Sequence, residues 1–472
     1  MRRTAARQKP HRVVVFMSVT DTIAAVSTPR GKGGIAVIRV SGADTVAVLK
    51  RVFSPGGVAP WDAPRRACFG KITDEKGLLL DEGLVTYFAA PASFTGEDVA
   101  EISCHGGVLL TSTVLAAVLA AGARAAEAGE FTARAVMHGK MALAEAEALG
   151  ALLDADTVGR MALARGGMTG KLAREIGAIY ERLSLILSDI YARVDFPEED
   201  LSGMSPAELM TALVGVRADV ARLLATWQTG RAVSEGIETV ICGPVNAGKS
   251  TLYNAIVGYD AAIVTDVAGT TRDILSQTVS LGSVTLRLSD TAGLRDTDDA
   301  VEQIGVARAD AAIDHAELVL AVLDASLTPD ARVKELLARL RGVRGTVVVV
   351  LNKQDKCNAF PLELLEGFAH VVTLSAATGD ISALQQTVQA LFVSAELDLR
   401  NDAIVANARQ YAALAKADQA LARAIKALED DVPLDASCVE AELAMAAIGE
   451  VDGRAVGEDI VADIFSHFCV GK

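Results

Sequence analysis

Aromatic residues are scarce, at 4% of the 472-residue chain, so its cores cannot be built around rings. They must rely on Ala, Val, Leu and Ile, and a chain that is 51% hydrophobic has enough of these for large cores. Positive charge is also short: 45 Lys and Arg against 60 Asp and Glu leave a net charge of −15. That excludes a protein that coats nucleic acid by charge alone, so an RNA partner needs a local basic site or a second protein. The six cysteines, Cys68, Cys104, Cys242, Cys357, Cys438 and Cys469, include no C-x-x-C pair and no framework spacing. They read as reduced thiols of a cytoplasmic protein. No apolar run reaches the roughly 18 residues that cross a bilayer, so no membrane association is expected. Acid is missing from the first twenty residues, which carry five Arg or Lys. That stretch reads either as a transit peptide or as a disordered extension ahead of a start at Met17, and residues 1–20 are read here as the extension.

What is present divides into four stretches, within the two to four domains the length allows. Residues 21–139 alternate in short strands, "IAVIRVSG" and "LVTYFAA", around one Ala/Leu-rich helix, an α+β pattern. Residues 140–235 are helical: Leu183, Leu187, Ile190 and Val194 share a face at i, i+4, i+7 and i+11, and the acidic "DFPEED" at 195–200 is a break. Residues 236–395 alternate β-branched strands with helices, the pattern of a parallel α/β sheet. Residues 396–472 are helical again. The expected architecture is an α+β N-terminal domain, a discontinuous all-α domain, and an α/β domain inserted between the two helical parts.

"GPVNAGKS" at 243–250 fits G-x-x-x-x-G-K-[ST] between a strand and a helix. Its glycines let successive N–H groups, including those of Asn246, Ala247 and Gly248, face phosphate oxygens at a helix N-terminus. Lys249 reaches the β- and γ-phosphates, Ser250 can ligate Mg²⁺, and Thr251 follows in the helix. "DTAG" (Asp290, Thr291, Ala292, Gly293) follows a strand, so Asp290 is placed for Mg²⁺ through water and Gly293 for the γ-phosphate. In "NKQD" (Asn352, Lys353, Asp355) the final carboxylate can accept from guanine N1–H and its 2-amino group, a donor pair adenine lacks. "SAATG", with Ser375 and Ala376, would brace the base. Thr271 in "GTTRD" is the expected switch threonine on Mg²⁺. The set resembles the motifs of the Ras-like P-loop GTPase superfamily and specifies GTP. Leu294 stands where many GTPases carry a water-positioning glutamine, so catalysis must find that function elsewhere. The Asn246 amide oxygen suits a monovalent cation, which would add positive charge at the phosphates.

Together with "DTIAAVSTPRGKGGIAVIRVSG", "SFTGEDVAEISCHGG", "GEFTARAVMHGKMALAEAEAL" and the terminal "FSHFCVGK", these motifs resemble the MnmE (TrmE) family from about Asp21 to Lys472. The resemblance implies a folate-binding, dimerising N-terminal domain and a Ras-like G domain nested in helices. It implies a K⁺-dependent GTPase acting as a homodimer, in a heterotetramer with an FAD-dependent MnmG (GidA)-type partner. Together they would add a (carboxymethyl)aminomethyl group to C5 of the tRNA wobble uridine, from 5,10-methylene-tetrahydrofolate or 5-formyl-tetrahydrofolate. By the same resemblance Asn246, Thr265, Val267 and Thr270 are K⁺ ligands, and Thr265 and Thr270 also belong to the GTP site. Glu302 orients the attacking water indirectly. One departure stands out: Pro244 comes one place earlier than usual and Val245 precedes Asn246.

Arg39 shares a strand face with Ile35 and Val37, and Glu101 with Val99 and Ser103. Charges on otherwise apolar faces are costly unless paired or used. They either pair with each other or meet a ligand that wants both signs, as a pterin with its acidic tail does. Arg39, Glu101, Lys140 and Lys472 match the family's folate-contacting positions. Arg134 is a weaker candidate, since a helix-surface arginine is the commoner case, and His105 reads as a turn histidine. Ile460, Val461, Ile464, Phe465 and Phe468 follow helical spacing, so a docked last helix would deliver the tail to one place. Cys469 is either a nucleophile in the one-carbon chemistry or a small apolar cap. The competing reading is an Era- or EngA-like regulatory GTPase of ribosome assembly. Those append a KH-like module with a basic GxxG loop, and no such loop follows residue 395.

Overall fold

The computed structural model describes residues 21–29, 31–195, 203–261, 276–289, 312–356, 358–455, 458–468 and 470–471. They fall into two compact units, one running to Glu147 and resuming at Gly453, the other Ala148–Asp452.

The first unit is built on a seven-stranded sheet of order β3-β4-β5-β6-β2-β1-β7. Its strands are β1 (Ile23–Val26), β2 (Ile35–Ser41), β3 (Phe53–Pro55), β4 (Ala67–Thr73), β5 (Leu79–Phe88), β6 (Val99–His105) and β7 (Arg124–Ala125). Period-two alternation gives the sheet two unlike faces. Ala36, Ile38, Val40, Ala100 and Ile102 are buried with Val48, Leu49, Val114 and Val118, under α1 (Thr45–Val52) and α2 (Val108–Ala120). The other face is only partly covered, and Ile35 on it is 69% exposed. One helix was expected here and three are found, α3 (Glu130–Met137) being the third. Two of them, α1 and α3, are eight residues long, too short for a periodicity read over 11–18 residues. The start of α4 (Leu143–Leu153) and the last helix, α14 (Glu458–Ser466), complete the unit: Leu143, Ala146, Ala133 and Phe465 share a core, with Val461, Ile464 and Phe468 against it. Ile460 does not join them and is 44% exposed.

The second unit holds a six-stranded sheet of order β13-β12-β11-β8-β10-β9. The strands are β8 (Ile237–Cys242), β9 (Ser276–Leu281), β10 (Val284–Ser289), β11 (Leu318–Asp324), β12 (Thr346–Asn352) and β13 (His370–Thr373). All neighbours are parallel except β9 with β10. Every residue of β11 is buried, as expected where helices cover both faces of a parallel sheet. Helices of this part include α9 (Lys249–Ala261), α10 (Ala331–Leu340) and α11 (Ser382–Phe392).

Helices α5 (Val158–Gly167), α6 (Lys171–Asp195), α7 (Pro206–Ala225) and α8 (Trp227–Ser234) precede that sheet in the chain, and α12 (Ala408–Glu429) and α13 (Leu434–Asp452) follow it. Ser205 and Glu208 close a capping box on α7, with Pro206 in its first turn. On α6, Leu183, Leu187 and Ile190 are buried as their spacing predicts, but Val194, one residue from the end, is 38% exposed. Helices α6, α7, α12 and α13 pack together, so helical segments from both sides of the sheet share one bundle. No helix among the described residues is long and apolar enough to cross a membrane.

Candidate functional site

The phosphate-loop motif lies between β8 and α9. Lys249 Nζ donates to the carbonyls of Gly243 (3.0 Å) and Pro244 (2.9 Å), folding back across its own loop. Gly248 has φ +100°, and a Cβ there would stand 2.1 Å from the Asn352 amide nitrogen, so only glycine fits. Asn352 ends β12 and is 2% exposed. Its Nδ2 donates to the Ala247 carbonyl (2.9 Å), and its Oδ1 accepts from the Ala376 N–H (2.9 Å). One buried amide thereby joins all three motifs that the structure describes. Asp355 is exposed, and its carboxylate accepts from Ser375 Oγ at 2.5 Å. That bond holds the Asp355 carboxyl below its ordinary range, ready to accept from a base. Ser250 and Thr251 lie in the first turn of α9.

Asp324 was not foreseen. It ends the apolar β11, and its carboxylate takes Lys353 Nζ at 2.6 Å and Ser326 N–H and Oγ at 2.9 and 2.6 Å. Burial pushes this carboxyl up, but Lys353 and Ser326 outweigh burial and hold it below the usual range. The available signal was a lone acid closing a strand that is otherwise all Leu, Val and Ala. Thr265, Val267, Thr270, Thr271, Asp290, Thr291, Ala292, Gly293, Leu294, Glu302, Cys469 and Lys472 lie outside the described residues.

In the first unit, Arg39 on β2 and Glu101 on β6 are register partners and form an ion pair of 2.8 Å. Their strand face is not the costly apolar surface expected. It is the partly open one, and the two side chains are 21% and 33% exposed. The Arg39 guanidinium lies 5.6 Å from the Phe94 ring and 5.8 Å from Phe131. Lys140 Nζ donates to the Pro91 carbonyl (2.9 Å), at the start of the segment that carries Phe94.

Arg134 is no surface arginine. It is 4% exposed and pairs with Asp21 (2.6 Å), Glu97 (3.0 Å) and Glu130 (3.0 Å). Arg124 also binds Asp21 and Glu130, both at 2.7 Å. A helix-surface reading failed because three carboxylates from separate segments converge on one α3 side chain. His105 is not in a turn. It ends β6, with its N–H and Nδ1 on the Asp81 carboxylate. Of the tail, Val470 bridges to Ala128, and the Gly471 carbonyl accepts from Ser27 Oγ at 2.9 Å. A Cβ on Gly471, φ +100°, would stand 2.3 Å from the Val26 carbonyl. The tail therefore lies at the end of β1, where Ala25 is the register partner of Arg39.

A glycine-bent loop between strand and helix, closed by an asparagine and a lysine from the end of a second parallel strand, defines the class: a P-loop α/β protein of the GTPase type. Comparison narrows it. The family model "GTP-binding protein TrmE N-terminus" matches residues 22–140, and "MnmE helical domain" matches residues 143–469. A protein named tRNA modification GTPase MnmE from Roseiflexus sp. (strain RS-1) is 40% identical over 468 residues, covering 97% of this chain and 100% of that protein. Its namesake from Moorella thermoacetica is 41% identical over 467 residues, covering 96% and 99%. Among solved structures, an Era variant from Aquifex aeolicus is similar at 24% identity over 39% of this chain and 66% of that one, with a TM-score of 0.26. The chain belongs to the MnmE family of tRNA modification GTPases.

Proposed function

We propose that this chain is a K⁺-dependent GTPase that modifies the tRNA wobble uridine. With an FAD-dependent MnmG-type partner it adds a (carboxymethyl)aminomethyl group to C5, using a tetrahydrofolate one-carbon donor. It works as a homodimer, within a heterotetramer with that partner. The observation that carries the reading is the closure of "NAGKS", "NKQD" and "SAATG" onto one another through Asn352, in a chain about 40% identical to its relatives from end to end.

The residues fit the groups the reading needs. Asp355, braced by Ser375, offers a carboxylate to guanine. Ser250 offers a hydroxyl oxygen to Mg²⁺, with Thr271 as a further ligand and Asp290 acting through water. Asn246 is exposed at φ 63°, with an amide oxygen for K⁺; Thr265, Val267 and Thr270 complete that set. When bound, the two cations supply positive charge to phosphate oxygens. Glu302 takes the water-orienting part that Leu294 cannot. Arg39 and Glu101 offer both charge signs, with Phe94 and Phe131 close to the Arg39 guanidinium, a set that suits a polar ring system such as a pterin. Lys140, Lys472 and Cys469 belong to the same pocket, and the described tail residues end beside β1. The test is nucleoside analysis of tRNA from cells lacking the gene: the modified wobble uridines should disappear, and unchanged uridines overturn the reading even if GTP is hydrolysed.

A further inference from the structure

We infer that Asp324 is a positioning residue for the monovalent cation: it supplies the counter-charge that lets a cation bind at Asn246 beside the ammonium group of Lys353. The inference rests on the K⁺ reading above and adds a residue that reading does not use.

Lys353 Nζ donates to the main-chain carbonyl of Asn246 at 2.6 Å. One positive charge is therefore already fixed a single hydrogen bond from the residue whose side chain is the proposed K⁺ ligand. Like charges at such range oppose each other unless a third charge intervenes. Asp324 Oδ2, 2.6 Å from the same ammonium, is that charge. It is 8% exposed, and Ser326 holds its other oxygen through two hydrogen bonds. Strand register fixes the spacing, because Asp324 pairs with Asn352, the residue before Lys353.

The backbone points the same way. Among the described residues four that are not glycine have positive φ, and two of them are Asn246 (63°) and Lys353 (66°). The Lys353–Asn246 hydrogen bond joins these two directly. Asparagine adopts left-handed backbone readily, but at Lys353 it is strained and persists where surrounding contacts impose it. Asp324, Lys353 and Asn246 thus form a chain running from a buried carboxylate to the cation ligand.

The experiment uses the full chain with Mg²⁺ and a non-hydrolysable GTP analogue. The melting temperature is titrated with KCl, choline chloride holding ionic strength constant, and GTP turnover is followed over the same range. Asp324→Asn keeps the shape and removes the charge. It should raise the K⁺ concentration for half-maximal effect about tenfold in both readouts. Asp324→Glu should restore most of the wild-type half-point. Ser326→Ala, a milder change that frees the carboxylate, should shift it by about threefold and serves if Asp324→Asn does not fold. A K⁺-dependent wild type with an unmoved half-point in these variants overturns the inference alone. A wild type that responds equally to K⁺ and Na⁺ overturns the K⁺ reading and the inference with it.

Discussion

Around the phosphate loop, contacts to main-chain atoms set the shape: Lys249 to two carbonyls, Asn352 to a carbonyl and an N–H, Lys353 to a carbonyl, with the Lys353–Asp324 ion pair behind them. On and beside the open sheet face of the first unit they run between charged side chains. Arg134 and Arg124 hold Asp21, Glu97 and Glu130, and Arg39 holds Glu101. The first region is shaped by backbone conformation and tolerates few substitutions at its glycines. The second is shaped by charge balance and depends on each partner being present. One is fixed by glycine and main-chain geometry; the other changes whenever a side chain is exchanged.

The sharpest way to break this contrast is at Arg134. Replacing it by Leu leaves the Asp21, Glu97 and Glu130 carboxylates clustered without their buried guanidinium. Breaking a buried ion pair by removing one partner costs about 3–5 kcal/mol. Arg134→Leu should lower the first unit's unfolding midpoint in urea accordingly, while fluorescent GDP still binds. If GDP binding is lost to the same degree, the two regions are not separable.

The next largest effect lies in the backbone-built region. Gly248→Ala puts a Cβ 2.1 Å from the Asn352 amide nitrogen at φ +100°. It should weaken guanine-nucleotide affinity about a hundredfold, roughly 2.7 kcal/mol, in a fluorescent-GDP titration. Urea unfolding of the first unit should not change. Unaltered affinity would mean that Asn352 moves aside and does not lock the loop.

The same contrast explains what could be read from the sequence. "GPVNAGKS" and "NKQD" were legible because backbone geometry demands particular residues at fixed spacing, and the alternation of strands and helices between residues 236 and 395 placed them. The face of β2 that carries Arg39 was legible from alternation too. Whether that face was covered was not, since cover depends on which helices pack there, and α3, whose Phe131 lies near Arg39, was too short to see. Arg134 was misjudged because Glu130, four residues before it, has the spacing of an ordinary surface pair, while Asp21 and Glu97 are brought to it only by the fold. Asp324 escaped because a lone acid closing an apolar strand acquires its meaning only when the fold sets it opposite Asn352.

Acid should separate the regions more gently. Burial pushes the Asp21 and Glu130 carboxyls up, but the hydrogen bonds of Arg124 and Arg134 prevail and hold both below their ordinary values. A carboxylate depressed in the folded state binds fewer protons than in the unfolded chain. Stability from it is present above the unfolded pKa, near 4, and is lost as pH falls through the folded value. The urea midpoint of the first unit should therefore drop as pH falls from about 5 to 3. Arg134→Leu should weaken that dependence without abolishing it, because one of the two guanidiniums that depress these carboxyls is gone while Arg124 stays. A wild-type midpoint flat across this range would remove the network from the stability of the fold.

The smallest effect is a labelling rate, and it reads both regions in one experiment. Cys104 on β6 and Cys242 at the end of β8 are buried thiols. Burial, helped by the charge of Asp81, pushes the Cys104 thiol up, and burial pushes Cys242 up to about 12. The thiolate is the reactive form, so neither should react appreciably with iodoacetamide at pH 8 while its own region is folded. Peptide mapping after timed labelling should find both protected in the wild type, and Cys104 alone gaining label in Arg134→Leu. Label entering Cys242 at the same rate would show that loss of the charge network is felt at the phosphate loop, and the two modes of construction would then belong to one cooperative structure.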